Sequence, residues 1–143
     1  MAIKRTSEAL WRGGLKDGHG RMVVGRGVFE GEYSFASRFE SGEGTNPEEL
    51  LAAAHAGCFT MFLSAILEKD GFKPEELRTK ATVSLELKEE GPRITRMDLV
   101  VEGRVPGIDA ETFKRYAEAA KEGCPVSIAL AGVPEKTVEA TLL

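Results

Sequence analysis

The chain has 143 residues, 42% hydrophobic and 29% charged, a composition that fits one globular domain with a sizeable core and argues against disorder. Its formal net charge is −4 with no basic block, which argues against nucleic acid as a partner, because phosphate binding needs a clustered positive footprint. No apolar run follows Met1-Ala2-Ile3-Lys4-Arg5-Thr6, so no secretory signal is read, and a reducing cytoplasmic compartment is expected.

Short runs such as Met22-Val23-Val24, punctuated by Gly13-Gly14, Asp17-Gly18-His19-Gly20 and Gly25-Arg26-Gly27, predict a meander over the first forty residues. Phe29, Gly31, Tyr33 and Phe35 alternate with Glu30, Glu32 and Ser34, which predicts a half-buried strand. Ser41 to Thr45 predicts a loop. Asn46 as N-cap, Pro47 at the first position and Glu49 at the third then predict a helix reaching about Lys69. Apolar residues fall on nearly all its sides, so it must be covered all round, and a second subunit is expected to supply part of that cover. The uncharged stretch from Leu50 to Leu67 approaches membrane-span length, but His55, Gly57, Thr60, Ser64 and its many alanines argue against a transmembrane segment.

Alternation around Ala81–Leu87 and Met97–Val105 predicts two strands, and Asp109 caps a second helix with a Phe113, Tyr116, Ala117, Ala120 stripe that Gly123 closes. A turn or short helix begins at Cys124-Pro125, and Val138, Ala140 and Leu142 predict a final strand. Strands, helix, strands, helix, strand is an α+β order with mostly antiparallel sheet, and no linker divides residues 1–143 into more than one domain.

Cys58 and Cys124 are the only cysteines, far apart in sequence, which suggests thiol chemistry more than a staple. The bland alternative for Cys58 is a buried core residue among alanines. A reactive Cys58 needs its pKa lowered by about two units from about 8.5, roughly 3 kcal/mol of preference for the anion. One cation about 4 Å away at an effective dielectric near 20 supplies about that much. No basic residue lies between Leu50 and Leu67, so the cation must come from elsewhere, and Arg38 is the candidate. A solvated strand-end arginine is the competing reading. Glu48 is the carboxylate that would hold Arg38, against its reading as a first-turn acid at the helix dipole. Ten residues of straight helix separate Glu48 from Cys58 by about 15 Å, so either Arg38 spans much of that distance or the helix breaks near His55-Ala56-Gly57, and the break is expected. Cys124 precedes Pro125 where an N-cap would sit, which favours a thiolate there too. The residues alone leave open which cysteine attacks.

The stretch from Thr45 through Asn46-Pro47-Glu48-Glu49 and His55-Ala56-Gly57-Cys58 to Phe59, with Arg38-Phe39-Glu40 before it and Gly123-Cys124-Pro125-Val126-Ser127 after, resembles the OsmC/Ohr family. These are the osmotically inducible protein C and organic hydroperoxide resistance proteins, and the likeness leans to the OsmC branch. It runs essentially the whole chain, Trp11 and Val105-Pro106-Gly107-Ile108-Asp109 included. The resemblance implies sheets wrapped around central helices in an intertwined homodimer. It implies a thiol peroxidase of peroxiredoxin type, reducing organic hydroperoxides and, less well, hydrogen peroxide, without a cofactor. Cys58 would become a sulfenic acid, Cys124 would condense with it to a disulfide, and a dithiol would reset the pair. Arg38 would activate the thiolate and Glu48 would orient Arg38. Phe39, Met61 and Phe62 are the apolar residues expected to line a substrate pocket.

Two other readings compete. His55 and Cys58 are three apart, which suits a cysteine hydrolase or acyltransferase dyad, although no third orienting residue is evident and a satisfied core histidine is the plainer account. A non-catalytic, stress-related ligand-binding domain would keep the fold without turnover. A metal site from Cys58, Cys124, His19 and His55 lacks any closely spaced ligand pair.

Overall fold

The computed structural model describes Met1–Leu143, which form two compact units, Met1–Leu50 and Leu51–Leu143. The first holds an antiparallel sheet in the order β1 (Ser7–Arg12), β2 (His19–Val24), β3 (Phe29–Tyr33). This is the expected meander. Gly20 sits between Trp11 and Tyr33, whose rings are 5.3 Å apart, and a Cβ there would come within 2.6 Å of both, so only glycine fits.

The strand read through Phe35 stops earlier. Ser34 turns the chain into a short helix, α1 (Phe35–Phe39), by a reciprocal cap in which each of Ser34 and Ser37 receives the other's backbone N–H on its hydroxyl oxygen. The period-two pattern carried no sign of this, because a serine cap outweighs two residues of alternation. Arg38 therefore lies on a helix rather than at a strand end.

The long helix α2 (Pro47–Lys69) is a single helix of 23 residues. The break expected near Gly57 is absent: no side chain of the helix needs it, and a glycine inside a helix weakens it by only about 1 kcal/mol. Asn46 caps it as expected, accepting the Glu49 N–H at 2.8 Å, while the Glu49 carboxylate takes the Thr45 hydroxyl at 2.9 Å. By length and composition α2 could cross a membrane, yet His55, Phe59, Leu63 and Leu67, each four residues apart, form one fully buried stripe, as in a core helix. The opposite face stays open, with Met61 78% exposed.

In the second unit β4 (Glu76–Lys88) pairs antiparallel with β5 (Gly91–Arg104), and β5 pairs parallel with β6 (Glu135–Leu142). A parallel neighbour requires a crossover, which α3 (Ala110–Gly123) and α4 (Pro125–Ala129) supply. Asp109 caps α3 through the Thr112 N–H at 2.7 Å. Leu99 and Val101 of β5, Phe113, Ala117 and Ala120 of α3, Cys124 and the α2 stripe make one core. Each large apolar side chain buried there is worth roughly 1.5–3 kcal/mol. The α+β class with mostly antiparallel strands is as read from the sequence.

Candidate active site

Within residues 1–50, α1 and the start of α2 hold an ion pair. Ser37 is buried, its hydroxyl donating to the Thr45 carbonyl at 2.7 Å, and the Asn46 amide donates to the Ser37 carbonyl at 2.9 Å. These bonds fix the loop between the two helices and bring Arg38 to Glu48. The Arg38 Nε and Nη2 both donate to Glu48 Oε1, at 3.1 and 2.8 Å, with side-chain exposures of 37% and 10%. Glu48 Oε2 is buried without a partner. The guanidinium also lies 5.3 Å from the Phe39 ring centroid, within cation–π range. Glu48 therefore holds Arg38 through two hydrogen bonds to one carboxylate oxygen, and the guanidinium remains partly exposed. Phe39, Phe35, Trp11, Leu15 and Tyr33 join Arg38 around a cavity of about 280 Å³.

Within residues 51–143 the two cysteines are neighbours, and both are free thiols. Burial pushes the Cys58 pKa up; the Val126 backbone amide pulls it down, and the adjoining Cys124 thiol raises it further. These surroundings therefore disfavour the anion, and a reactive Cys58 needs a cation from outside them. Cys124 is fully buried and caps α4: its sulfur accepts the Ser127 N–H at 3.3 Å and its thiol donates to the Ser127 hydroxyl at 3.2 Å. Proline at the next position suits that cap, as expected from Cys124-Pro125.

His55 does not face Cys58 as a dyad. Its Nε2 meets the Ser127 hydroxyl at 2.8 Å, and its Nδ1 is buried without a partner. The imidazole pKa is lowered, first by burial and then by the Lys136 charge. Nor is it the satisfied core histidine of the plainer reading, since one nitrogen is left over. Ser127 escaped the sequence reading; its signal was the three-residue spacing from Cys124, which is that of a cap to the third helical residue. Of the remaining expected pocket residues, Met61 lines an open groove of about 590 Å³ with Thr60, Ser64, Leu77 and Thr79. Phe62 instead packs on the core beside Gly123. No three His, Cys, Asp or Glu side chains gather as a metal-binding group.

The profile of the OsmC-like protein family matches residues 40–139. The chain is 47% identical over 128 residues to Peroxiredoxin OsmC of Escherichia coli, covering 89% of this chain and 90% of that one. It is 35% identical over 94 residues to the organic hydroperoxide resistance protein of Xanthomonas axonopodis pv. citri, covering 64% and 63%. Among solved structures, the organic hydroperoxide resistance protein OhrB of Bacillus subtilis superposes with a TM-score of 0.71 at 28% identity, covering 96% of this chain and 98% of that one. The chain belongs to the OsmC family.

Proposed function

We propose that this chain is a thiol-dependent peroxidase that reduces organic hydroperoxides, and hydrogen peroxide less well, with Cys58 attacking and Cys124 resolving. The observation that carries the reading is the direct neighbourhood of the two free thiols, one half-buried and one fully buried, in a family whose relatives bear peroxiredoxin and hydroperoxide-resistance names. The Cys58 thiolate attacks the distal peroxide oxygen; the O–O bond breaks, the alcohol leaves with a proton, and Cys58 is oxidised to a sulfenic acid. Cys124 then displaces water to close a disulfide, which a small or protein-bound dithiol reduces.

Arg38, held by Glu48, is the cation we assign to the Cys58 thiolate; because α2 is unbroken and about 15 Å of helix separates Glu48 from Cys58, the guanidinium acts across the interface of the homodimer. A guanidinium is needed because the sulfur's own surroundings raise its pKa. The apolar ring-lined cavity beside Arg38 and Phe39 suits the organic part of a hydroperoxide. Residues 1–143 act as a single OsmC-like domain in an intertwined homodimer, a reading supported by the open apolar face of α2. Paired free thiols suit the reducing cytoplasm.

Titration of free thiols before and after one equivalent of a bulky organic hydroperoxide tests this. The chain should lose two thiols, the Cys124→Ser variant only one, with Cys58 sulfinic acid accumulating in that variant under excess peroxide. No thiol loss on treatment would discard the peroxidase reading.

A further inference from the structure

A buried polar chain runs from Cys124 into the core, and the peroxide chemistry as described makes no use of its inner end. His55 is fully buried on the stripe it shares with Phe59, Leu63 and Leu67, where an apolar residue would cost nothing in lost hydrogen bonds. Its one partner is the Ser127 hydroxyl, 2.8 Å from Nε2, and that hydroxyl's other partner is the Cys124 thiol at 3.2 Å. With the thiol donating to Ser127 Oγ, the hydroxyl hydrogen has one acceptor in reach, the Nε2 lone pair. In the opposite tautomer Nε2–H would donate to the serine oxygen and the hydroxyl would donate to Cys124 Sγ, which reverses the chain of protons. In the first arrangement protons line up from sulfur through oxygen to Nε2, with the Nδ1 hydrogen left without a partner.

We propose that His55, acting through the Ser127 hydroxyl, takes the thiol proton of Cys124 as that sulfur attacks the Cys58 sulfenic acid. The inference rests on the reading of Cys58 as attacking and Cys124 as resolving cysteine. In the step, the Cys124 proton passes to Ser127 Oγ while the serine's own proton passes to His55 Nε2. The S–S bond forms as the S–O bond of the sulfenic acid breaks. Cys124 is oxidised, the sulfenic sulfur is reduced, and the departing hydroxide leaves as water once a proton is returned to it, so no outside oxidant is needed. The Ser127 backbone N–H, 3.3 Å from Sγ, supports the charge that develops on sulfur. Ser127 touches the reacting atom, whereas His55 is a positioning residue.

The charged and titratable groups around the imidazole suit this role. Lys136, whose ammonium donates to the Leu130 and Val133 carbonyls at 3.1 and 3.2 Å, joins burial in keeping His55 neutral at rest, so Nε2 is free to accept. Cys124 reaches it through Ser127, and Cys58 adjoins Cys124. Charge moves within a neutral pair, from thiol and imidazole to thiolate and imidazolium, so a buried site need not take up a net charge.

Rapid mixing of the full-length protein with an organic hydroperoxide, followed by timed alkylation and mass spectrometry, separates Cys58 oxidation from disulfide closure. The Ser127→Ala and His55→Gln variants should slow closure on the order of 10²-fold. Their pH profile for closure should move to higher pH, because the thiol proton must then go to solvent base rather than to the imidazole. Ser127→Thr, which keeps the hydroxyl, should close at a rate near that of the parent. Should Ser127→Ala fail to fold, His55→Gln decides, since it keeps an amide beside Ser127 and cannot accept a proton. Closure at the parental rate and pH profile in either variant overturns the relay, as does a Ser127→Thr variant as slow as Ser127→Ala. If the parent shows no Cys58 oxidation phase, the peroxidase reading and the relay fall together.

Discussion

Replacing Arg38 with Met removes the one cation assigned to the Cys58 thiolate while keeping an apolar chain of similar length. Burial and the Cys124 thiol both push the Cys58 pKa upward, so without Arg38 the sulfur holds its proton more tightly than an ordinary thiol. One guanidinium about 4 Å from a sulfur at an effective dielectric near 20 contributes about 4 kcal/mol, enough to lower a pKa by two units or more. Each ~1.4 kcal/mol of lost stabilisation lowers the thiolate population about tenfold while the thiol is mostly protonated, so the rate of Cys58 oxidation at neutral pH should fall on the order of 10- to 100-fold. The variant also leaves Glu48 buried without its two hydrogen bonds, which should cost about 1–3 kcal/mol of stability once the partial exposure of Arg38 is considered. An Arg38→Met/Glu48→Leu double variant removes both charges and separates this loss from the kinetic one. The assay is single-turnover Cys58 oxidation across pH: the variant should gain about tenfold per pH unit above neutrality and converge with the parent in alkali. A parental rate and profile in the Arg38→Met protein would refute the assignment.

Truncating the core stripe by Phe59→Ala should lower the unfolding free energy by about 3–5 kcal/mol in urea titrations, because the side chain is fully buried among α2, α3 and β5. Acid should weaken the fold through His55. Its folded pKa is lowered, so stability is full above the ordinary value of 6.5 and falls as pH drops from there toward the folded value, because the unfolded chain gains the proton first. The expected slope in that window is about 1.4 kcal/mol per pH unit, and it should vanish in His55→Gln.

Much of this molecule is legible from its residues because local rules and tertiary packing agree. Asn46-Pro47 opens α2, Asp109 opens α3, and the alternation at 81–87 and 97–105 falls within β4 and β5. The misses share a cause. Phe35 fitted a strand pattern, but Ser34 and Ser37 form a cap that a period-two count does not weigh. The break in α2 was inferred from the reach Arg38 would need, and a demand drawn from chemistry cannot override a helix whose buried stripe is continuous. Arg38 with Glu48, and the two cysteines, could be singled out by charge and thiol content alone. Ser127 carries only the three-residue spacing of a cap from Cys124, which gives no hint of chemistry until its hydroxyl is seen between a thiol and an imidazole.

The two sulfurs impose an order on the reaction. Adjacent thiols resist ionising together, as the upward push of Cys124 on Cys58 reflects. With Arg38 assigned to Cys58 as proposed above, that sulfur goes first, while its neighbour remains hydrogen-bonded to Ser127. Oxidation to sulfenic acid removes the negative charge from Cys58, and with it the reason for Cys124 to stay neutral. At that moment the second thiol must lose a proton in a place water does not reach, since Cys124 is fully buried. Arg38 cannot serve that need, because a guanidinium stabilises an anion but accepts no proton. A neutral base on the core side can, and His55 is the titratable side chain hydrogen-bonded to the partner of Cys124. Division of labour between a surface cation for the first sulfur and a buried base for the second follows from burying one thiol deeper than the other.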